Sequence, residues 1–316
     1  MEKKILDLVS DEIKRDTSND GALKDALLNH LERLKEQRSN IMFVGATGVG
    51  KSSTINAIFN TKIARVGYSV DPETDTVKKY EIDNMVLWDT PGLGDDPAKD
   101  KRYAAMIADA LRARGTDGQF LIDEVVVLID GSNRDMKTAY EILEKIVIPY
   151  IGKTDRIVIA INQCDMALKG RHWDHDQKKP DARLVSFLEE KTDSVKKRIE
   201  GSTGVSLTPV YYSALYHYNI SKLLLSMVKN MPETKRFFFA DSLNQDPDVW
   251  GKNDSIKDYN TEIQQEIKGS LTKALDGAAK GAVAGATVGS LIPVIGPVLG
   301  AAAGSLLGFL GGLSGR

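Results

Sequence analysis

The feature that most restricts the fold is Gly45-Ala46-Thr47-Gly48-Val49-Gly50-Lys51-Ser52, an instance of GxxxxGK[ST] placed directly after the apolar run 41–45. Its glycines let the backbone curl so that successive N–H groups point inward, and a helix starting near Lys51 adds its positive N-terminal dipole. Such a loop surrounds phosphate oxygens and needs a strand before it and a helix after it. In this pattern the Lys51 ammonium reaches the β- and γ-phosphates, and the Ser52 hydroxyl ligates Mg²⁺. The expected phosphate-binding set is Gly45, Thr47, Gly48, Val49, Gly50, Lys51, Ser52 and Ser53.

The rest of the chain supplies the scaffold this loop requires. Apolar runs at 41–45, 85–88, 124–130, 156–161 and 207–212 alternate with helix-like stretches near 51–59, 98–114, 134–147, 181–200 and 215–230. This is the rhythm of an α/β fold with a mostly parallel sheet covered on both faces. Tyr80 and Ile82, joined to 85–88 by Asp83-Asn84, add an antiparallel edge strand and bring the count to six. Upstream, Ile5, Leu8, Val9 and Ile13, then Leu23, Leu27, Leu28, Leu31 and Leu34, recur at helical spacing around a Ser18-Asn19-Asp20-Gly21 break. Four parts follow: an N-terminal helical segment 1–37, a nucleotide domain 38–235, a polar linker with a short helix at 236–270, and a tail 271–316.

Three further motifs fall at strand ends. Asp89-Thr90-Pro91-Gly92 closes the run Met85-Val86-Leu87-Trp88. Asp89 there holds the metal, and Gly92, having no side chain, can bring its N–H against a γ-phosphate. Between this motif and the phosphate loop, Pro72-Glu73-Thr74-Asp75-Thr76 reads as a first switch. Thr74 is preferred over Thr76 as the residue closing on Mg²⁺, because it leaves Val77 to start the next strand. The residues expected to act on the transferred phosphate are Lys51, Thr74 and Gly92, with no general base evident, and the metal set is Ser52, Thr74 and Asp89. Finally, Asn162-Gln163-Cys164-Asp165 resembles the NKxD guanine motif, in which the aspartate accepts from guanine N1–H and the exocyclic amine. Gln163 replaces the lysine whose stem covers the base, a role its methylenes can fill. Tyr212-Ser213-Ala214-Leu215 resembles the loop whose backbone N–H groups touch guanine O6, which adds Ser213 and Ala214 to Asn162 and Asp165 as base-site residues.

With these four motifs in order over 41–214, the chain resembles the translation-factor class of P-loop GTPases. Pro72-Glu73-Thr74, the run 87–95, Asn-Gln-Cys-Asp, and Gly170-Arg171-His172-Trp173-Asp174 before Pro180 look like the YfjP/YeeP-like GTPases of the Era-like branch, over residues 38–235. The resemblance implies GTP and GDP as ligands, Mg²⁺ as cofactor and hydrolysis to GDP and phosphate. The loop GxTGxGKSS also resembles that of septin-related membrane GTPases, whose G domains dimerise across the nucleotide, so a nucleotide-dependent homodimer is among the expectations. The position after the DxxG glycine, where many GTPases place a water-orienting glutamine, is Leu93. Slow intrinsic turnover, raised by a partner or a second copy, follows. Arg65 is the nearest arginine-finger candidate, although an exposed arginine is the simpler reading. His172-Trp173-Asp174-His175-Asp176 holds metal-ligand residue types in a Lys-rich loop without apolar framing, and reads as a solvated or partner-contacting insert.

Composition decides the remaining questions. The 42 Lys and Arg against 44 Asp and Glu give no basic field, so nucleic acid is not an expected partner. The single cysteine, Cys164, fits a reducing compartment, and the N-terminus lacks a secretory apolar core, so a cytoplasmic location is expected. Yet 11 of the 27 glycines lie in 277–316, and 281–315 holds no charged side chain. Gly277, Gly281, Gly285 and Gly289, then Gly300, Gly304, Gly308 and Gly312, line helix faces on either side of Ile292-Pro293-Val294-Ile295-Gly296-Pro297. This predicts a glycine-zipper helical hairpin over 271–316 that meets membrane lipid, peripherally or inserted at the inner membrane. Arms of about 16 residues span about 24 Å, short of a full crossing, which favours a shallow hairpin. Competing readings are an Era-like ribosome- or RNA-associated factor, for which no KH-like module follows the domain, and a dynamin-like or defence-related membrane-remodelling GTPase, for which the helical ends are short for a stalk.

Overall fold

The computed structural model describes residues 4–15, 21–63, 65–68, 77–94, 96–115, 118–133, 136–254 and 258–282. The expected first switch at 72–76, with Thr74, and the hairpin beyond residue 282 lie outside the described residues. The strands in chain order are β1 (Ser39–Gly45), β2 (Arg65–Tyr68), β3 (Lys78–Ile82), β4 (Met85–Asp89), β5 (Glu124–Asp130), β6 (Ile157–Asn162), the short pair β7 (Trp173–Asp174) and β8 (Lys179–Pro180), and β9 (Val210–Tyr211). The helices are α1 (Ile5–Arg15), α2 (Gly21–Glu36), α3 (Lys51–Ile58), α4 (Pro97–Arg112), α5 (Lys137–Ile142), which continues through a π-helical Leu143–Val147 into α6 (Ile148–Tyr150), α7 (Ala182–Thr203), α8 (Ile220–Asn230) and α9 (Tyr259–Ala282).

All six expected strands are present in one sheet of order β2-β3-β4-β1-β5-β6-β9. A seventh strand, β2, extends the edge antiparallel to β3. Its sequence Arg65-Val66-Gly67-Tyr68 offers only two alternating apolar positions around a glycine, too little to register as a strand. The central pairings β4–β1, β1–β5, β5–β6 and β6–β9 are parallel, and β3 runs antiparallel to β4. The register sets Phe43 against Asp89 and Gly45 against Leu128, so the DTPG motif emerges beside the start of the phosphate loop.

Alternation along the strands sorts the core into two halves. Ile41, Phe43, Val126, Leu128, Val158 and Ala160 face a cluster completed by α1, α2, α3, α8 and α9. Met42, Val44, Val125, Val127, Ile159 and Ile161 face the other, completed by α4, α5 and α7. The N-terminal helices pack as expected, with Ile5, Val9, Ile13, Leu27, Leu31 and Leu34 all inside the first cluster.

The stretch 236–270 is not a linker. Phe237, Phe238, Phe239 and Trp250 are buried, and the short helix expected at Ile263 and Ile267 is the 24-residue α9. Leu271 and Leu275 of α9 are buried as well, so the expected tail boundary at 271 cuts a packed helix. The polar composition that suggested a linker is used to seal backbone groups. The Asn244 amide nitrogen donates to Asn56 O (3.1 Å) and Ala57 O (3.2 Å), capping the last carbonyls of α3. Backbone bonds from Asn60 N–H to Ser242 O and from Asn244 N–H to Ile58 O, both 2.9 Å, clasp the same helix end. Phe239 stacks on Phe59 (6.1 Å), which meets Phe43 of β1 edge-on (6.4 Å). Asp241 accepts from Ile5 N–H at the start of α1 (3.0 Å), and burial pushes its carboxyl up to about 7. Phe239→Ala is expected to cost about 3–5 kcal/mol, because it empties the wedge between α3 and α9. Urea unfolding checks this, and a loss below about 1 kcal/mol would show that 236–244 is dispensable to the core.

Candidate nucleotide site

Two adjoining clefts open beyond the C-terminal ends of the parallel strands. The first, about 750 Å³, is lined by Thr47, Gly48, Gly50, Lys51, Ser52, Ser53, Asp89, Thr90, Pro91 and Gly92, with Lys78, Asp96, Lys99, Asp100 and Tyr103. The second, about 670 Å³, is lined by Gly48, Gly50, Ser53, Asn162, Gln163, Asp165 and Ala214, with Asn56, Ala57, Met166, Leu215 and His217. Gly48, Gly50 and Ser53 border both, so the phosphate loop forms the wall between a phosphate cleft and a base cleft.

The loop geometry explains its glycines. Gly48 and Gly50 take φ of 75° and 91°, in the left-handed region that penalises a Cβ. A Cβ on Gly50 would also lie 2.3 Å from the Asn162 amide nitrogen. Gly45 and Val49 act from behind the cleft. A Cβ on Gly45 would meet Leu128 O at 2.8 Å, and the Val49 side chain is buried in the core. Lys51 Nζ lies along the loop, donating to Ala46 O (3.0 Å) and Gly45 O (3.3 Å). Ser52 Oγ donates to Asp89 Oδ2 at 2.6 Å. Two of the three expected metal ligands thus converge within the phosphate cleft, and this oxygen donor set suits a hard cation such as Mg²⁺.

Beyond Asp89 the chain zips onto the phosphate loop. Leu93 N–H donates to Gly45 O (3.3 Å), and Thr47 N–H donates to Leu93 O (3.1 Å). Gly92 lies so close that a Cβ there would sit 2.4 Å from Thr47 Cα and Oγ1. The glycine is therefore needed for contact with Thr47, a role that the motif alone did not indicate. Asp100 latches the loop by accepting from Gly94 N–H with both oxygens (2.9 and 3.0 Å). Leu93 itself is buried in the second core cluster.

In the base cleft the residues divide into contact and support. Asp165 is buried, and its Oδ1 has no hydrogen-bond partner among the described residues. Asn162, expected to touch the base, lines this cleft and also braces it: its Nδ2 donates to Val49 O (2.9 Å), and its Oδ1 accepts from Ala214 N–H (3.0 Å). Ser213 is fully buried outside the cleft lining; its N–H donates to Tyr218 O (3.0 Å), and its Oγ accepts from Tyr216 N–H (3.2 Å). The donor role expected of Ser213 is therefore corrected to a structural one, because the tight turn 213–218 consumes its polar groups. Gln163 reaches across with Nε2 donating to Gly48 O (2.9 Å), which lays its stem along the base cleft. Cys164 is a buried filler whose thiol is pushed well up by burial. His217 was not expected; it reaches the cleft from a left-handed turn (φ 56°), and burial lowers its pKa.

The insert read as an unframed solvated loop is a small ribbon of β7 and β8. Its Trp173 is buried against Tyr216 (5.3 Å) and Tyr218 (5.6 Å). His172 pairs with Asp181 (2.7 Å) and His175 with the Tyr216 hydroxyl (3.1 Å). Among the described residues no group of three His, Cys, Asp or Glu is arranged to hold a metal.

Residues 40–163 match a family model described as 50S ribosome-binding GTPase. The chain is 28% identical over 150 residues to YkfA of Escherichia coli K12, covering 46% of this chain and 48% of that protein. It is 25% identical over 176 residues to YfjP of the same organism, covering 53% and 57%. The chain carries a YfjP-like P-loop GTPase domain. It spans about half the length of these curated relatives. Among solved structures, a probable GTP-binding protein EngB aligns with a TM-score of 0.35 at 21% identity, over 61% of this chain and 98% of that one. In this GTPase domain Asn162→Ala is expected to loosen the wall between the clefts by roughly 1–3 kcal/mol. Amide exchange reads it: Ala214 should lose protection, while Tyr212, bonded to Ile161 O (2.9 Å), should keep it. Equal protection at Ala214 with and without the asparagine side chain would refute this role.

Proposed function

We propose that the chain binds GTP with Mg²⁺ and hydrolyses it to GDP and phosphate, acting as a nucleotide switch. The observation that carries the guanine assignment is the buried Asp165 Oδ1 without a partner in the base cleft. A buried acceptor without a donor costs roughly 1–3 kcal/mol, and guanine N1–H and its exocyclic amine supply the missing donors. Adenine presents an acceptor at N1, and its pairing with this carboxylate is repulsive. Ser52 and Asp89 are the residues that would hold Mg²⁺, joined by Thr74 of the first switch, and the ion would neutralise charge on the β- and γ-phosphate oxygens. Lys51 carries the remaining phosphate contact. With Leu93 buried where a water-orienting glutamine is common, intrinsic turnover is slow, and a second copy across the nucleotide is the proposed accelerator.

Titration calorimetry with GTP, GDP and ATP in Mg²⁺ tests the base assignment. GTP and GDP are expected to bind about 100-fold tighter than ATP, and Asp165→Asn is expected to remove most of that margin. Comparable ATP affinity would sink it.

The second part of the proposal is attachment of a cytoplasmic protein to the inner membrane through the glycine-ridged residues 283–316. Its support is the sequence pattern, since among the described residues no helix is long and apolar enough to cross a membrane. Liposome flotation of the full chain against a chain ending at Ala282 is the test. The cut belongs after α9, because Leu271 and Leu275 are core residues. The full chain alone should float; equal behaviour of the two would remove lipid as a partner.

A further inference from the structure

Hydrolysis needs a group that accepts a hydrogen bond from water and turns its lone pair toward phosphorus. Leu93 cannot do this, being buried and apolar. Lys51, Lys78 and Lys99 line the phosphate cleft, but an ammonium only donates. The other side-chain acceptors that line the cleft, Thr47 and Ser53 apart, each already hold a protein partner. Asp89 holds Ser52, and Asp96 caps α4 by accepting from Ala98 N–H (2.8 Å). Asp100 holds Gly94 N–H, and the Thr90 hydroxyl donates to Phe43 O (2.8 Å). Ser53 lies on the wall shared with the base cleft.

Thr47 differs from all of these. Its Oγ1 has no hydrogen-bond partner among the described residues, and it is exposed in the phosphate cleft. Its position is fixed from two sides, by its own N–H to Leu93 O and by Gly92 against its Cα. Both of these partners belong to the loop that follows the metal aspartate, so Thr47 stands where the γ-phosphate sensor and the phosphate loop touch.

We propose that the Thr47 hydroxyl positions the water that attacks the γ-phosphate, in place of the glutamine that this chain lacks. The proposal rests on the reading of the chain as a GTPase. Thr47 Oγ1 accepts a hydrogen bond from the water. The water oxygen bonds to the γ-phosphorus as the bond from that phosphorus to the β–γ bridging oxygen breaks. The water proton passes to a γ-phosphate oxygen, leaving GDP and inorganic phosphate, so Thr47 orients without being consumed. It is a positioning residue, and the loss of a well-oriented nucleophile is worth about 10- to 100-fold in rate.

Single-turnover GTP hydrolysis, with the full chain in excess over nucleotide and Mg²⁺ present, is compared for the wild type, Thr47→Val, Thr47→Ala and Thr47→Ser. Thr47→Val keeps the shape and removes the hydroxyl, so it should slow the chemical step about 10-fold or more, as should Thr47→Ala, beyond any change in GTP affinity. Thr47→Ser should restore most of the rate. Wild-type turnover in Thr47→Val overturns the inference, as does a serine variant as slow as the alanine one. If the rate falls only in step with GTP affinity, Thr47 serves binding, and the inference is also overturned. A wild-type chain that fails to bind GTP in the same assay defeats the GTPase reading itself, a separate outcome from active turnover that ignores Thr47.

Discussion

One carboxamide holds the nucleotide site together. Asn162 sits at the end of β6, donates to the carbonyl of Val49 in the phosphate loop and accepts from Ala214 N–H in the turn after β9. Three chain segments far apart in sequence are thereby set at fixed distances by a single planar group. The arrangement works only because Gly50 has no side chain, since a Cβ would lie on top of the Asn162 nitrogen. A buried amide with both ends satisfied is rigid, and each end would be costly to leave unpaired. The phosphate loop therefore keeps its curvature, with the Asp165 carboxyl in the lining of the adjoining cleft.

A second set of contacts joins the phosphate loop to the strand end that carries Asp89. The hydrogen bonds between Leu93 and Gly45 and between Thr47 and Leu93 extend the β1–β4 pairing past the strands themselves. Burial of Leu93 anchors this extension in the core. The same burial removes that side chain from chemistry, so a hydrophobic residue at this position exchanges a catalytic group for a structural one. What remains polar at the contact is the Thr47 hydroxyl.

The helical ends of the chain belong to the same body as the sheet. The segment 236–244 reaches α1 through Asp241, α3 through Asn244 and Ser242, and the central sheet through the Phe239–Phe59–Phe43 stack. Phe237-Phe238-Phe239 is the part of this that could be read in the sequence, yet it lies against a stretch whose Asp, Asn and Gln content resembles a loop. Those polar side chains do not face water alone; they cap α3 and close turns, which composition does not distinguish from solvation.

The sequence by itself determined the fold class and located the phosphate loop, the Ser52–Asp89 pair and Asp165. Local periodicity sets strands and helices, and the motif residues act through backbone geometry that short segments specify. It misjudged β2, Ser213 and 236–270, and it did not reveal that Asn162 braces the phosphate loop. Each of these depends on which atoms from distant segments meet. The unpaired hydroxyl of Thr47, the burial of Leu93 and the orphan oxygen of Asp165 were likewise decided by tertiary structure. A side chain's hydrogen-bonding capacity is written in its chemistry, but whether that capacity is spent or left free for a ligand is settled only by packing.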